Sequence, residues 1–296
     1  MNKRDWLTPG TIVFQNSIYK ASVEDVAAAG GGLYTFATAS ANPKWPDQDI
    51  FYSGLDEEPG TTYNTIRSFT SHTDYTQYYT VPITDPGYTI VFPGDASVTV
   101  QSGNSVVTTY TLTKPAYPDD LTIVQTVSLH GTTFYSSTIE VTTAVTNTGN
   151  ADVAVGIRYL WDFSLAGIDL SLFQQIKPDG LVLTEETDFS PVTFQYYMMT
   201  DDADAPNMYI YGTANGPATF SPPPTPPDRI VFASWPHARD RAFSYTITGS
   251  LQSDSCVLYY WGQNQGLSIP PGGTVSVTQY LFQPNNNAVR GIPFIK

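Results

Sequence analysis

Arg158, Trp161 and Asp162 stand within five residues of one another at the end of a run of alternating apolar and polar residues. A cation, an aromatic ring and a carboxylate so placed offer charge pairing, stacking and proton transfer. Residues 158 and 162 share one face of a regular strand. A structural ion pair between them is therefore the first expectation, and a ligand-binding site the second. Proton transfer to a substrate needs an acid and a base within hydrogen-bond reach. The histidines are His72, His130 and His237. His130 precedes Gly131 at a strand end, and His237 lies in Trp235-Pro236-His237-Ala238-Arg239-Asp240-Arg241. None adjoins a motif that demands it, so structural or surface roles are expected. Hydrolysis of a glycosidic bond takes two carboxylates about 5–10 Å apart. Asp49, Asp162 and Asp169 are available, but nothing in their spacing brings them together.

Two further patterns carry chemistry. Asp202-x-Asp204, helped by Asp201, offers hard oxygen ligands for Ca²⁺. The spacing matches the start of an EF-hand loop, but no glycine or closing glutamate follows at the required offsets. A solvated acidic loop is the plainer reading. Trp45, Trp161, Trp235 and Trp261, with the many tyrosines, have the composition of a sugar-stacking platform, although aromatic residues on strands more often pack a core or an interface. The single cysteine, Cys256, sits in the apolar run Cys256-Val257-Leu258-Tyr259 and reads as a small buried residue, not a nucleophile. No P-loop, GxGxxG, HExxH, CxxC or GxSxG element is present.

The elements that must position these residues are strands. Over 296 residues, 41% are apolar and only 14% charged, with 20 Tyr, 23 Pro and 22 Gly. Charge is well under the ~25% of ordinary soluble domains. Threonine is abundant and helix formers are scarce, which favours strands and turns. A net charge of −14 repels nucleic-acid phosphates and anionic membrane faces, so neither is an expected partner. No stretch approaches the ~18 apolar residues of a membrane span. No apolar run follows Met1-Asn2-Lys3-Arg4-Asp5-Trp6, so the expectation is synthesis in the cytoplasm, with a surface or spore layer reached after release. One cysteine cannot build an internal disulfide.

Ser137–Asp162 reads as a hairpin. Thr138–Thr146 alternates Ile139, Val141, Thr143 and Val145 with Thr138, Glu140, Thr142 and Ala144. Asn147-Thr148-Gly149-Asn150 offers residues that tolerate positive φ, and a second strand runs over Asp152–Leu160. Similar runs with Gly, Pro and Asn turns recur along the chain. They include Leu33–Ala39, Thr61–Phe69, Ser105–Thr113, Leu121–Leu129, Phe243–Ile247, Cys256–Gly262 and Thr274–Phe282. The lone helix-like turn is expected around Leu170–Gln175. Ser221-Pro222-Pro223-Pro224-Thr225-Pro226-Pro227 reads as a stiff surface loop inside one domain spanning residues 1–296. Roughly 16–20 candidate strands are too many for a seven-stranded sandwich. The expected fold is all-β, a large antiparallel sandwich of two facing sheets with little helix.

Two segments carry a resemblance: NTGNADVAVGIRYLWDF (Asn147–Phe163) and SDSCVLYYWGQNQGLSIPPGGTVSVTQYLF (Ser253–Phe282). With GGGLYTFATASANP and TTYNTIRSF, they resemble a group of bacterial all-β proteins. That group has the general look of the β-supersandwich of galactose mutarotase-like and carbohydrate-active proteins. The resemblance implies a fold and brings no activity with it. Two functions are expected from different classes. The first is a non-catalytic structural protein that self-associates through Tyr/Thr-rich β surfaces as a homo-oligomer or assembly, because interfaces are rich in Tyr and poor in Lys and Glu. The second is a carbohydrate-binding or carbohydrate-modifying protein using Trp45, Asp49, Arg158, Trp161, Asp162, Trp235, His237 and Trp261 toward a glycan.

Overall fold

The computed structural model describes residues 10–25, 31–78, 83–169, 171–176, 182–202, 207–217, 219–249 and 254–283. Its first ten strands are β1 (Thr11–Gln15), β2 (Tyr19–Glu24), β3 (Tyr34–Thr38), β4 (Tyr63–Ser68), β5 (Thr73–Thr76), β6 (Thr89–Val91), β7 (Ser97–Ser102), β8 (Ser105–Leu112), β9 (Leu121–His130) and β10 (Thr138–Asn147). The remainder are β11 (Val153–Phe163), β12 (Leu172–Ile176), β13 (Val182–Leu183), β14 (Thr187–Phe189), β15 (Tyr196–Thr200), β16 (Tyr209–Thr213), β17 (Arg229–Ser234), β18 (Ser255–Trp261), β19 (Leu267–Ile269) and β20 (Thr274–Phe282). One α-helical turn, α1 (Trp235–Ala238), carries Pro236 in its first turn, where a missing N–H costs nothing, and a 3₁₀ turn spans Pro93–Ala96.

Two large sheets form the sandwich. One has nine strands in the order β13-β12-β15-β16-β20-β10-β9-β8-β7. The other has eight: β14-β17-β18-β11-β4-β5-β6, with β19 added on β11. Strands β1, β2 and β3 make a third, small sheet. All pairs are antiparallel except β5 with β6.

Strands β10 and β11 both exist where the alternation places them, but they do not form a hairpin. β10 pairs with β9 and β20 in the nine-stranded sheet. β11 pairs with β4, β18 and β19 in the eight-stranded one. Residues 147–150 therefore form an arch that carries the chain from one sheet to the other, and none of them takes a positive φ. The reason lies in burial. β10 buries alternate residues only, whereas almost all of β11 is buried on both faces, and a doubly covered strand needs two inner neighbours. Asn147 holds the arch. Its amide donates to the carbonyls of Ala151 and Ile269 at 2.7 and 2.9 Å and accepts from the Gly149 N–H at 2.9 Å. Two other expectations also fail. Leu170–Gln175 is not helical, because the Leu-Phe-Gln-Gln-Ile run pairs as β12 with β15; Leu170 itself lies outside the described residues. Phe243–Ile247 is not a strand but part of an irregular segment laid across the eight-stranded sheet.

Between the sheets lies an aromatic core that includes Tyr34, Phe36, Phe51, Trp161, Phe163, Tyr259 and Trp261. It also carries a closed polar network. Trp161 Nε1 donates to Tyr34 Oη, which donates to Asn64; Asn64 donates to Gln125 and Thr143. Gln77 donates to both Tyr110 and Gln125. The side chains of this network satisfy one another, as a low-dielectric interior requires. The Pro-rich segment runs beside β20. Thr225 exchanges hydrogen bonds with Thr278, and its carbonyl accepts from Trp261 Nε1 and Gln279 Nε2.

Replacing Asn147 by Ala removes three hydrogen bonds from a site that is 2% exposed. Urea unfolding should show a loss of roughly 2–4 kcal/mol. A loss under ~0.5 kcal/mol, typical of an ordinary surface change, would mean that the arch holds without this side chain.

Candidate functional site

The eight-stranded sheet has two kinds of face. Odd residues of β11 (Ile157, Tyr159, Trp161) point into the core, so even residues (Gly156, Arg158, Leu160, Asp162) point the other way. By register, Tyr63, Thr65 and Arg67 of β4, Cys256, Leu258 and Tyr260 of β18, and Arg229, Val231 and Ala233 of β17 share that outer face. An outer face would ordinarily meet water. This one is buried, because residues 235–249 cross it as a strap whose Trp235, Ala238, Ala242, Phe243 and Tyr245 pack against it. Gly156 marks the closest approach, since a Cβ there would lie 2.6 Å from the Phe243 ring.

Charged groups on the sheet peg the strap by its backbone. Arg158, fully buried, donates through Nη2 to the Ala238 carbonyl at 2.9 Å and through Nη1 to the Arg241 carbonyl. Arg67 forms a two-pronged pair with Asp74 at 2.7 Å, meets Asp85 at 2.9 Å and donates to Ser244 Oγ at 2.9 Å. Asp85 in turn accepts from the N–H groups of Phe243 and Ser244 at 3.0 and 2.6 Å. Arg229 is paired with Asp188 and donates to the Tyr245 carbonyl at 2.9 Å. Glu186 accepts from the Ser234 and Gly249 N–H groups, Thr248 and the Tyr245 hydroxyl. Every arginine among the described residues thus lies in or against the strap.

The strap leaves a cleft of about 890 Å³ between itself and the Thr84–Pro86 loop. Its lining includes Thr84, His237, Arg239, Arg241, Tyr245 and Thr248. Arg239 lies over the Trp235 ring at 4.5 Å, and His237 Nδ1 is 2.7 Å from Thr248 Oγ1. Asp240 also lines it, 3.7 Å from Arg239, so two arginines meet one carboxylate there and the hollow is rich in donors on a chain of net charge −14. A smaller cleft of about 390 Å³ lies on the nine-stranded sheet beside the His130–Glu140 ion pair, Tyr135 and Phe220.

Behind the strap, Asp162, Asp169 and Asp254 converge, with one ligand oxygen from each within 4.8 Å of the others. Burial, then the charges of Asp254 and Asp169, push the Asp162 carboxyl well above its ordinary range, with the Thr61 hydroxyl acting the other way. Burial, then Asp169, pushes Asp254 up to about 6. Burial also raises Asp169.

The sequence-derived candidates separate accordingly. Arg158 and Asp162 share a face but do not pair, because Arg158 is taken by strap carbonyls and Asp162 by the carboxylate group. Trp161 and Trp261 face the core and donate to Tyr34 and Thr225. Trp235 is buried under the strap and donates to the Thr61 carbonyl. Trp45 packs on Phe134 and Tyr209, remote from the other three. Asp49 caps the Leu55 N–H. Of the eight residues proposed to bind a glycan, the structure brings only His237 to the large cleft. Asp204 lies outside the described residues, and Asp202 has interactions of its own. Cys256 is buried, and burial holds its thiol well above the ordinary range. Sequence reasoning passed over Arg67, Asp85, Glu186, Tyr245 and Asp254. Asp254 carried one signal, since it immediately precedes an apolar strand, but only the β11–β18 register sets it beside Asp162.

No family model matches the chain, and no curated protein matches it in sequence. Solved structures match it in shape. A Synechocystis sp. protein aligns at TM-score 0.55 and 10% identity over 93% of this chain and 96% of that one. A galactose mutarotase-like protein of Lactobacillus casei aligns at 0.52 and 11% over 92% and 99%. A GalM/aldose epimerase homologue of C. elegans aligns at 0.53 and 11% over 93% and 99%. The chain has the galactose mutarotase-like fold. At such identity the likeness is one of fold, and function must come from the site.

The strap anchors predict a pH dependence. Burial pushes the Glu186 carboxyl up, but the Tyr245 hydroxyl and three peptide N–H groups outweigh it and hold it below its ordinary 4.5. A depressed carboxylate contributes stability that is complete above its unfolded value and is lost as pH falls through the folded one. Urea midpoints followed from pH 7 to pH 3 should therefore fall more steeply for wild type than for Glu186→Gln, whose amide does not titrate. Parallel curves would remove Glu186 as an ionised anchor.

Proposed function

We propose that the protein binds carbohydrate in the cleft between the strap and the Thr84–Pro86 loop, with acidic saccharides preferred. The observation that carries this reading is the cleft's lining. Arg239, Arg241 and His237 supply donors, Thr84, Thr246 and Thr248 supply hydroxyls, and Tyr245 supplies a ring edge, all in one hollow large enough for a few sugar units. Arg241 forms no ion pair among the described residues, reaching only Thr84 Oγ1 at 3.4 Å, so its charge is free to meet a carboxylate. The fold supports the reading by analogy alone. Asp240 also lines the cleft, 3.7 Å from Arg239, and Glu186 behind the strap is saturated with donors, which suits a scaffold better than a proton shuttle.

Self-association in a layer has less behind it. Its motive was tyrosine content, and 14 of the 20 tyrosines are buried. Tyr34, Tyr110, Tyr159, Tyr197 and Tyr259 have their hydroxyls committed to internal bonds. The composition is thus that of an interior.

A glycan array followed by calorimetry tests the proposal. Wild type should retain a uronate-containing oligosaccharide, and Arg241→Ala should weaken it about tenfold or more, the scale of one hydrogen bond to a charged group. Glu140→Gln, in the smaller cleft, should leave it unchanged. Binding lost in Glu140→Gln but kept in Arg241→Ala would move the site to the nine-stranded sheet, and no retained glycan would remove the reading.

A further inference from the structure

We propose that Asp162, Asp169 and Asp254 form a binding site for a hard divalent cation, Ca²⁺ by preference. One carboxylate oxygen from each lies within 4.8 Å of the other two. Oxygens bound to one Ca²⁺ at 2.3–2.6 Å are separated by at most about 5 Å, so the three fit a single ion without rearrangement. The oxygens are also available. Oδ1 of Asp162, of Asp169 and of Asp254 is in each case buried and without a hydrogen-bond partner. Asp162 is 1% exposed and lies on the outer sheet face under the strap.

The three residues come from different parts of the chain and are each fixed by their backbones. Asp162 sits near the end of β11, and its carbonyl accepts from the Tyr52 N–H at 3.2 Å. Asp169 lies in the turn beyond β11, and its carbonyl accepts from Ser255 N–H at 3.2 Å. Asp254 precedes β18, and its carbonyl accepts from the Trp235 N–H at 3.1 Å. The side chains are therefore held convergent by groups that gain nothing from the convergence. Among the described residues none of the three forms an ion pair. Arg239, the nearest cation acting on Asp254, stays stacked on Trp235. Carboxyls gathered so closely are relieved either by sharing a proton, as Asp162 and Asp254 do when no ion is bound, or by a cation that joins them. Asp169 and Asp254 are only partly buried, which leaves an entry path and room for the waters that complete a Ca²⁺ shell. The site is distinct from the Asp202-x-Asp204 pattern.

The test is a titration of chelator-stripped, full-length protein with TbCl₃, exciting tryptophan, followed by displacement with CaCl₂. Trp235, bonded through its N–H to Asp254, is placed to sensitise the lanthanide. Wild type should give saturable emission that Ca²⁺ reverses. Asp254→Asn and Asp169→Asn should each weaken it by at least the ~10-fold that even outer-shell changes cost a metal site. In chelator, both variants and Asp162→Asn should melt at or above the wild-type temperature, because each relieves the crowding of carboxyls and keeps the shape. CaCl₂ should raise the melting temperature of wild type alone. No saturable emission from wild type, or emission of equal affinity in all three variants, overturns the proposal; the second outcome would place the ion elsewhere on this acidic chain.

Discussion

A buried guanidinium sets the terms for this molecule. Arg158 is fully enclosed, and its hydrogen bonds run to main-chain carbonyls of the strap, at Ala238 and Arg241. A charge buried without such acceptors is costly by several kcal/mol. Strap and sheet therefore depend on each other. Lifting the strap would expose the apolar residues of the outer face and leave Arg158 without its acceptors. Placing a neutral apolar residue at 158 would leave the Arg241 carbonyl without its donor and the Ala238 carbonyl with only the 3.4 Å contact from the Arg241 N–H. Arg229, Asp85 and Glu186 repeat the device at intervals, from a charged side chain to strap backbone, and Arg67 reaches the Ser244 hydroxyl. The cleft is what remains open once those pegs are in place. Its position follows from where the pegs stop, at the Thr84–Pro86 loop.

The two sheets solve burial differently, and the composition follows from that. The nine-stranded sheet faces water on one side and carries hydroxyl ladders there. Thr142 faces Thr278, Thr146 faces Thr274 and Ser105 faces Ser128, each pair at 2.8 Å. Such cross-strand pairs stabilise an exposed β surface without lysine or glutamate. The eight-stranded sheet is covered on both sides and needs large side chains with a polar end for each layer. Tyrosine and tryptophan serve there, and Tyr159, Trp161, Tyr259 and Trp261 each donate to a neighbour. Low charge, much threonine and much tyrosine are thus consequences of one sheet wetted on one face and one covered on both.

How much of this was legible in the sequence depended on the range of the interaction. Strand existence was legible, because alternation in Thr138–Thr146 and Thr274–Phe282 is a local property. Strand partnership was not. The run from Thr138 to Leu160 looks like a hairpin because both halves alternate, and only the double burial of β11 shows that its neighbours must be β4 and β18. Parity carries further information. Trp161 is odd with Ile157 and Tyr159, while Arg158 and Asp162 are even, so a shared binding face for all three was excluded by the strand period itself. The nearness of Asp162 and Asp169 was within reach of sequence reasoning, but Asp254 joins them across a gap of more than eighty residues through strand pairing alone. The strap was the least legible element. Its Phe243–Ile247 run has strand-like composition, and what makes it a cover is the pattern of charged groups beneath it on three strands and two loops.

Hydrogen exchange on wild type and Arg158→Met, read segment by segment, tests the pegged strap most directly. Methionine keeps the bulk and apolar stem but removes both donors to the strap. The account predicts a loss of protection concentrated in the amides of 237–249, with β9, β10 and β20 exchanging as in wild type. Unchanged strap protection, or a loss spread evenly through both sheets, would contradict it.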